Sequence, residues 1–261
     1  MISGLEDSLL SVASAGDVAQ MRALLTTRQE PPSEETIQNA LTAAIKSSHL
    51  DILKLILDKY PSISLNEEIV RAAVNTGSIS IFETLLARDP SIINMQFDRR
   101  GTPLIVACMG RQKAEYLEFL LRAGADPNQD PDAAAFPLAL VAALYSDPAV
   151  VDLLLRYGAR LKHSGCLAAA ARRGNETMLL RLFDRGACLE DDAPDISTET
   201  SPLNIAVRSG HLGVVRILLQ YGADTNTTDA SGATVIDVVR QMRADGKDVP
   251  EMSEILGEDS G

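Results

Sequence analysis

His163 and Cys166 form an H-x-x-C pair, and Cys188 follows further along the chain. Three soft ligands of this kind could hold a metal. They lack the paired spacing of a zinc site, however, and no metal is expected. Asp98 and Asp132 lie on neighbouring turns and are the carboxylates that could act as an acid–base pair. Glu190, Asp191, Asp192, Asp195 and Glu199 crowd together around Pro194. Calcium would require a fixed ligand geometry and, usually, a Gly-bearing loop, so a hydrated acidic finger is the plainer expectation. The sequence has no nucleophile elbow, glycine-rich phosphate loop or H-E-x-x-H. No catalytic residue and no cofactor are assigned.

The elements that would position these side chains are short helices in pairs. Ser201–Asn226 reads SPLNIAVRSGHLGVVRILLQYGADTN. Ser201 can cap a helix, and Pro202 is tolerated at a first helical position, where no N–H is needed. Gly210-His211 breaks that helix. A second follows, with Val214, Val215, Ile217, Leu218 and Leu219 at helical spacing. Gly222 ends it, because glycine accepts positive φ without steric cost. Two such helices cannot bury their apolar faces alone and need neighbours of the same kind.

The same unit recurs. Paired apolar residues begin at Leu24, Ile56, Leu85, Leu120, Leu154, Leu182 and Leu218, at spacings of 32, 29, 35, 34, 28 and 36 residues. The Ser201–Asn226 stretch closely resembles an ankyrin repeat, and Gly101-Thr102-Pro103-Leu104 with Gly124-Ala125-Asp126-Pro127-Asn128 matches nearly as well. The family's period is about 33 residues. The resemblance implies an all-α ankyrin-repeat solenoid of stacked antiparallel helix pairs with projecting β-turns. It would form one domain over residues 1–261, with about seven repeats and a degenerate C-terminal capping repeat. Repeats two and three end on Tyr60-Pro61 and Asp89-Pro90 in place of glycine, so the N-terminal repeats depart most from the pattern.

Composition limits the partners. A net charge of −12 excludes a nucleic-acid backbone or an anionic membrane as the main target. Three cysteines are too few and odd in number for a disulfide framework, and fit a reducing compartment. The longest apolar run, Ala133 to Tyr145, is too short for a span and carries Pro137. The N-terminus reads as a capping box, Ser3 with Glu6, rather than a signal peptide. A cytoplasmic or nuclear monomer is expected.

The resemblance also implies which side chains meet a partner. In ankyrin folds the first helices and turns line a concave groove, and the two positions before each Gly-His break face it. His49 and His211, at that break, would hydrogen-bond backbone between neighbouring repeats. Eight such pairs of positions include Lys46, Arg172, Arg173 and Arg208 and no acidic residue. Sixteen positions at the chain's average of 24 Lys and Arg in 261 residues would hold about 1.5 basic side chains. Arg99 and Arg100, flanked by Phe97, add to the basic edge, and Met109, Phe136, Leu144 and Tyr145 supply an apolar centre. Protein–protein recognition of an acidic segment with apolar anchors is therefore expected, without catalysis. An enzyme using groove carboxylates on a small molecule is the alternative, and a structural assembly subunit is a third reading.

Overall fold

The computed structural model describes residues 3–27, 31–129, 136–190, 201–229, 231–246 and 250–257. Two compact units divide the chain, Met1–Asp126 and Pro127–Gly261. In the first, the helix pairs are α1 (Ser3–Ala15) with α2 (Val18–Thr27), α3 (Glu34–Lys46) with α4 (Leu50–Lys59), and α5 (Glu67–Thr76) with α6 (Ile79–Arg88). A 3-10 turn, Pro90–Asn94, precedes the pair α7 (Pro103–Met109) and α8 (Ala114–Arg122). The second unit holds α9 (Pro137–Leu144) with α10 (Ala149–Arg156), and α11 (Cys166–Arg173) with α12 (Glu176–Asp184). It continues with α13 (Pro202–Ser209) and α14 (Leu212–Gln220), then α15 (Val235–Ala244) and α16 (Pro250–Ile255).

Within each unit the first helices pack in series, α1 on α3, α5 and α7, and α9 on α11, α13 and α15. Second helices pack likewise, α2 on α4 and α6, and α12 on α14 and α16. The only β pairing among the described residues is a bridge between Phe97 and Gly101. The fold is the all-α stack of helix pairs that the sequence implies.

Local chemistry sets the helix ends. Ser33, Asn66, Asn175 and Ser201 each accept an N–H of the first turn of the following helix, satisfying a donor that the helix leaves orphaned. Thr234 and Asp237 form a capping box at the start of α15. The expected box of Ser3 and Glu6 lies outside the described side chains. Buried Leu, Ile, Val and Ala dominate the core, with Tyr116, Phe82 and Phe97 the largest fully buried side chains. Each buried Leu or Ile contributes about 1.5–3 kcal/mol of transfer free energy, and in a linear stack that stabilisation couples neighbouring repeats.

Asparagines join successive turns. Asn94 donates from Nδ2 to the Gly124 carbonyl at 2.9 Å and accepts the Asp126 N–H at 2.9 Å. Asn128 repeats the arrangement with the Gly158 carbonyl at 2.8 Å and the Arg160 N–H at 2.9 Å.

Candidate functional site

Each first helix leaves carbonyls unpaired at its C-terminal end, and for α1, α5, α9 and α11 the following repeat supplies a donor for them. His49 donates from Nε2 to the Ser14 carbonyl at 3.0 Å, and His211 to the Arg172 carbonyl at 3.2 Å. These are the inter-repeat bonds expected of the two histidines. Gln112 does the same for Val74 and Asn75, and Asn175 for Tyr145. The sequence reading missed Gln112 and Asn175. Their signal is position: like the histidines, each directly follows a residue with positive φ, Arg111 and Gly174 respectively.

These bonds fix the ends of α9 and α11, which carry Leu144, Tyr145, Arg172 and Arg173 of the predicted partner contacts. In the second unit, α9 ends in Leu144 and Tyr145, both half-buried, and its neighbour α11 ends in exposed Arg172 and Arg173. The two guanidinium groups sit at the negative end of the helix dipole, which favours cations. Among the described residues neither forms an ion pair, so both charges face solvent.

Arg208, at the equivalent end of α13, differs. Its guanidinium is paired with the Asp229 carboxylate, whose side chain is 6% exposed. Asp229 also accepts from the Ser231 hydroxyl and from the Ser231 and Ala233 N–H groups. The Ser231 hydroxyl bond, reinforced by the other donors, holds this carboxyl well below the usual carboxylate range. Arg208 is thus half of an internal clamp, and of the three arginines expected to face a partner at these positions, Arg172 and Arg173 have no ion pair among the described residues.

In the first unit, Lys46 ends α3 and meets Glu68 at 3.3 Å, an exposed pair, while Met109 ends α7 with 52% of its surface open. Arg99 and Arg100 lie exposed on the Phe97–Gly101 turn, with Arg99 at φ 55°. Phe97 is 1% exposed. Its ring faces the core, because the bridge to Gly101 turns it inward while the arginines occupy the tip, so it anchors the turn instead of meeting a partner.

Phe136 is half-buried and lines a pocket of about 310 Å³ in the second unit, with Pro127, Leu138, Arg160 and Lys162. Cys166 is buried and Cys188 exposed. Among the described residues no group of three or more His, Cys, Asp or Glu side chains comes together in a way that could hold a metal ion. Asp98 is 86% exposed beside Arg99, and Asp132 lies outside the described residues. So do Asp191, Asp192, Asp195 and Glu199 of the acidic finger. No helix among the described residues is long and apolar enough to cross a membrane.

Residues 138–229 match ankyrin repeats in three copies, and residues 101–131 match a further ankyrin repeat. Ankyrin repeat and KH domain-containing protein mask-1 of Caenorhabditis elegans is 27% identical over 82% of this chain, which spans 9% of that protein. ARF GTPase-activating protein GIT2 of Mus musculus and GIT1 of Homo sapiens are each 36% identical over 29% of the chain and 10% of their own lengths. The chain thus spans about a tenth of the curated relatives it matches. Ankyrin repeats are protein–protein interaction modules, and their family matches agree with the stacked pairs and the inter-repeat ladder: the chain is an ankyrin-repeat protein.

Proposed function

We propose that the first-helix ends of the second unit bind an acidic segment of a partner protein, without catalysis. The observation that carries this reading is the pair Arg172 and Arg173. They are exposed and free of internal ion pairs among the described residues, in a chain whose net charge is −12. A local positive edge on an acidic protein favours carboxylates by attraction and excludes cationic surfaces by repulsion. Leu144 and Tyr145, on the adjoining helix, offer apolar area to anchors on the same segment. Arg99, Arg100 and Met109 offer comparable surface in the first unit, and Lys46 a weaker one because Glu68 already pairs with it. The protein acts in this reading as a monomeric adaptor in a reducing, cytoplasmic or nuclear compartment.

Quantitative affinity capture with wild type and with Arg172→Glu/Arg173→Glu tests it. Partners retained by wild type and depleted by the variant, and carrying acidic stretches, are expected. Identical recovery by both proteins would overturn the assignment.

A further inference from the structure

A second surface lies on the opposite helices of the first unit. A groove of about 550 Å³ runs between α6 and α8. Its apolar floor is Ile79, 38% exposed, with half-buried Phe119 and Ala123. Phe119 is held in place by Phe82 and Tyr116, with ring centroids 6.3 and 6.1 Å away. Fixed aromatic rings give the floor a defined shape, and Phe82 and Tyr116 beneath it are themselves buried. The rim is charged: it carries Glu83, Glu115 and Glu118 and the guanidinium of Arg122.

Glu83 and Glu115 alone outnumber the one guanidinium of the lining, so the groove is net negative. The three carboxylates do not converge on one point, since no metal-holding group forms among the described residues. A ligand for this groove therefore carries its positive charges spread along its length, around an apolar stripe. An amphipathic helix with Lys or Arg on its flanks has that arrangement, and helix-in-groove docking is read through apolar anchors at i, i+3, i+4 and i+7. At 1.5 Å per residue, the ten residues of α6 offer a partner helix a track of about 15 Å.

We propose that the α6–α8 groove docks a basic amphipathic helix of a partner protein, with Ile79 and Phe119 receiving its apolar anchor and Glu83 and Glu115 pairing with its cations. This surface shares no residue with the arginine-bearing edge of the second unit. The same chain then takes an acidic segment on one surface and a basic helix on the other.

The probe is a fluorescein-labelled helical peptide of Lys and Leu, with Leu at i, i+3, i+4 and i+7, titrated by anisotropy into the full chain. Wild type binds, and Glu83→Lys/Glu115→Lys weakens binding at least tenfold. Ile79→Asp weakens it as well, which charge attraction alone would not give, because an added carboxylate should then strengthen it. Arg172→Glu/Arg173→Glu leaves affinity at the wild-type level. Circular dichroism checks that each variant remains folded, with Glu83→Gln/Glu115→Gln as the milder substitute where reversal disturbs folding. The proposal is overturned by no binding to wild type, by equal affinity in the groove variants, or by tighter binding to Ile79→Asp.

Discussion

The His211 ring covers Gly174 so closely that a Cβ there would lie 2.6 Å from its Nδ1, while its Nε2 bonds the Arg172 carbonyl two residues earlier. Gly174 also sits at φ +68°. Glycine at the break and histidine in the next repeat therefore form one device, which fixes the end of α11 where the arginines emerge. Gly16 and His49 repeat it, again with a Cβ-to-ring distance of 2.6 Å.

Gly174→Ala should destabilise the second unit by about 1–3 kcal/mol, through left-handed backbone strain and displacement of the ring. In a double-mutant cycle with His211→Ala, the ring clash disappears and the cost of the alanine falls. Strictly additive losses in chemical denaturation would contradict this coupling.

The histidine half of the device was legible in the sequence, because Gly210-His211 carries the family's pattern. Gln112 and Asn175 were not, since amides do not stand out among polar residues and only the shared break shows their role. The helix pairs were legible from period and Gly or Pro stops alone. Arg208 was misread for a different reason. Its partner Asp229 lies 21 residues downstream, and only the stacking of α13 on α15 brings the two together. Phe97 was misread because an aromatic on a turn looks the same in sequence whether it faces outward or, as here, inward.

Leu218 has no exposed surface. Leu218→Ala should cost about 2–5 kcal/mol. Since repeats couple mainly to their neighbours, the C-terminal repeats should lose hydrogen-exchange protection first. Uniform loss from α1 onward would contradict a locally coupled stack.

Asp229 and Asp237 both titrate below the ordinary carboxylate range, held chiefly by the Ser231 and Thr234 hydroxyls respectively. A depressed native pKa means that the folded chain binds protons less readily than the unfolded chain. The stabilisation is complete at neutral pH and is lost as pH falls below about 4 toward the native value. Asp229→Asn should therefore lower Tm at pH 7, and the gap from wild type should narrow on acidification. A gap that stays constant down to pH 2.5 would contradict the clamp.

Burial pushes the Cys108 thiol up to about 12, and Cys166 is also buried, whereas Cys188 is exposed. A thiol reagent at pH 8 should label Cys188 rapidly in the native protein and reach Cys108 and Cys166 only in denaturant. Rapid native labelling of Cys108 would show that the first unit opens more readily than its packing implies.

The acidic-partner reading rests on Arg172 and Arg173, and a titration tests it most directly. A segment of a captured partner is titrated into wild type and into Arg172→Glu/Arg173→Glu, each at low and at high salt, with circular dichroism confirming that both are folded. Arg208 is left unchanged, because reversing it would set two carboxylates against each other at Asp229. Exposed substitutions usually shift stability by only about ±0.5 kcal/mol, so folding should be unaffected. The expected result is wild-type affinity that falls as salt rises, and binding to the variant weakened at least tenfold at low salt. Equal affinity of the two proteins at both salt concentrations would contradict it.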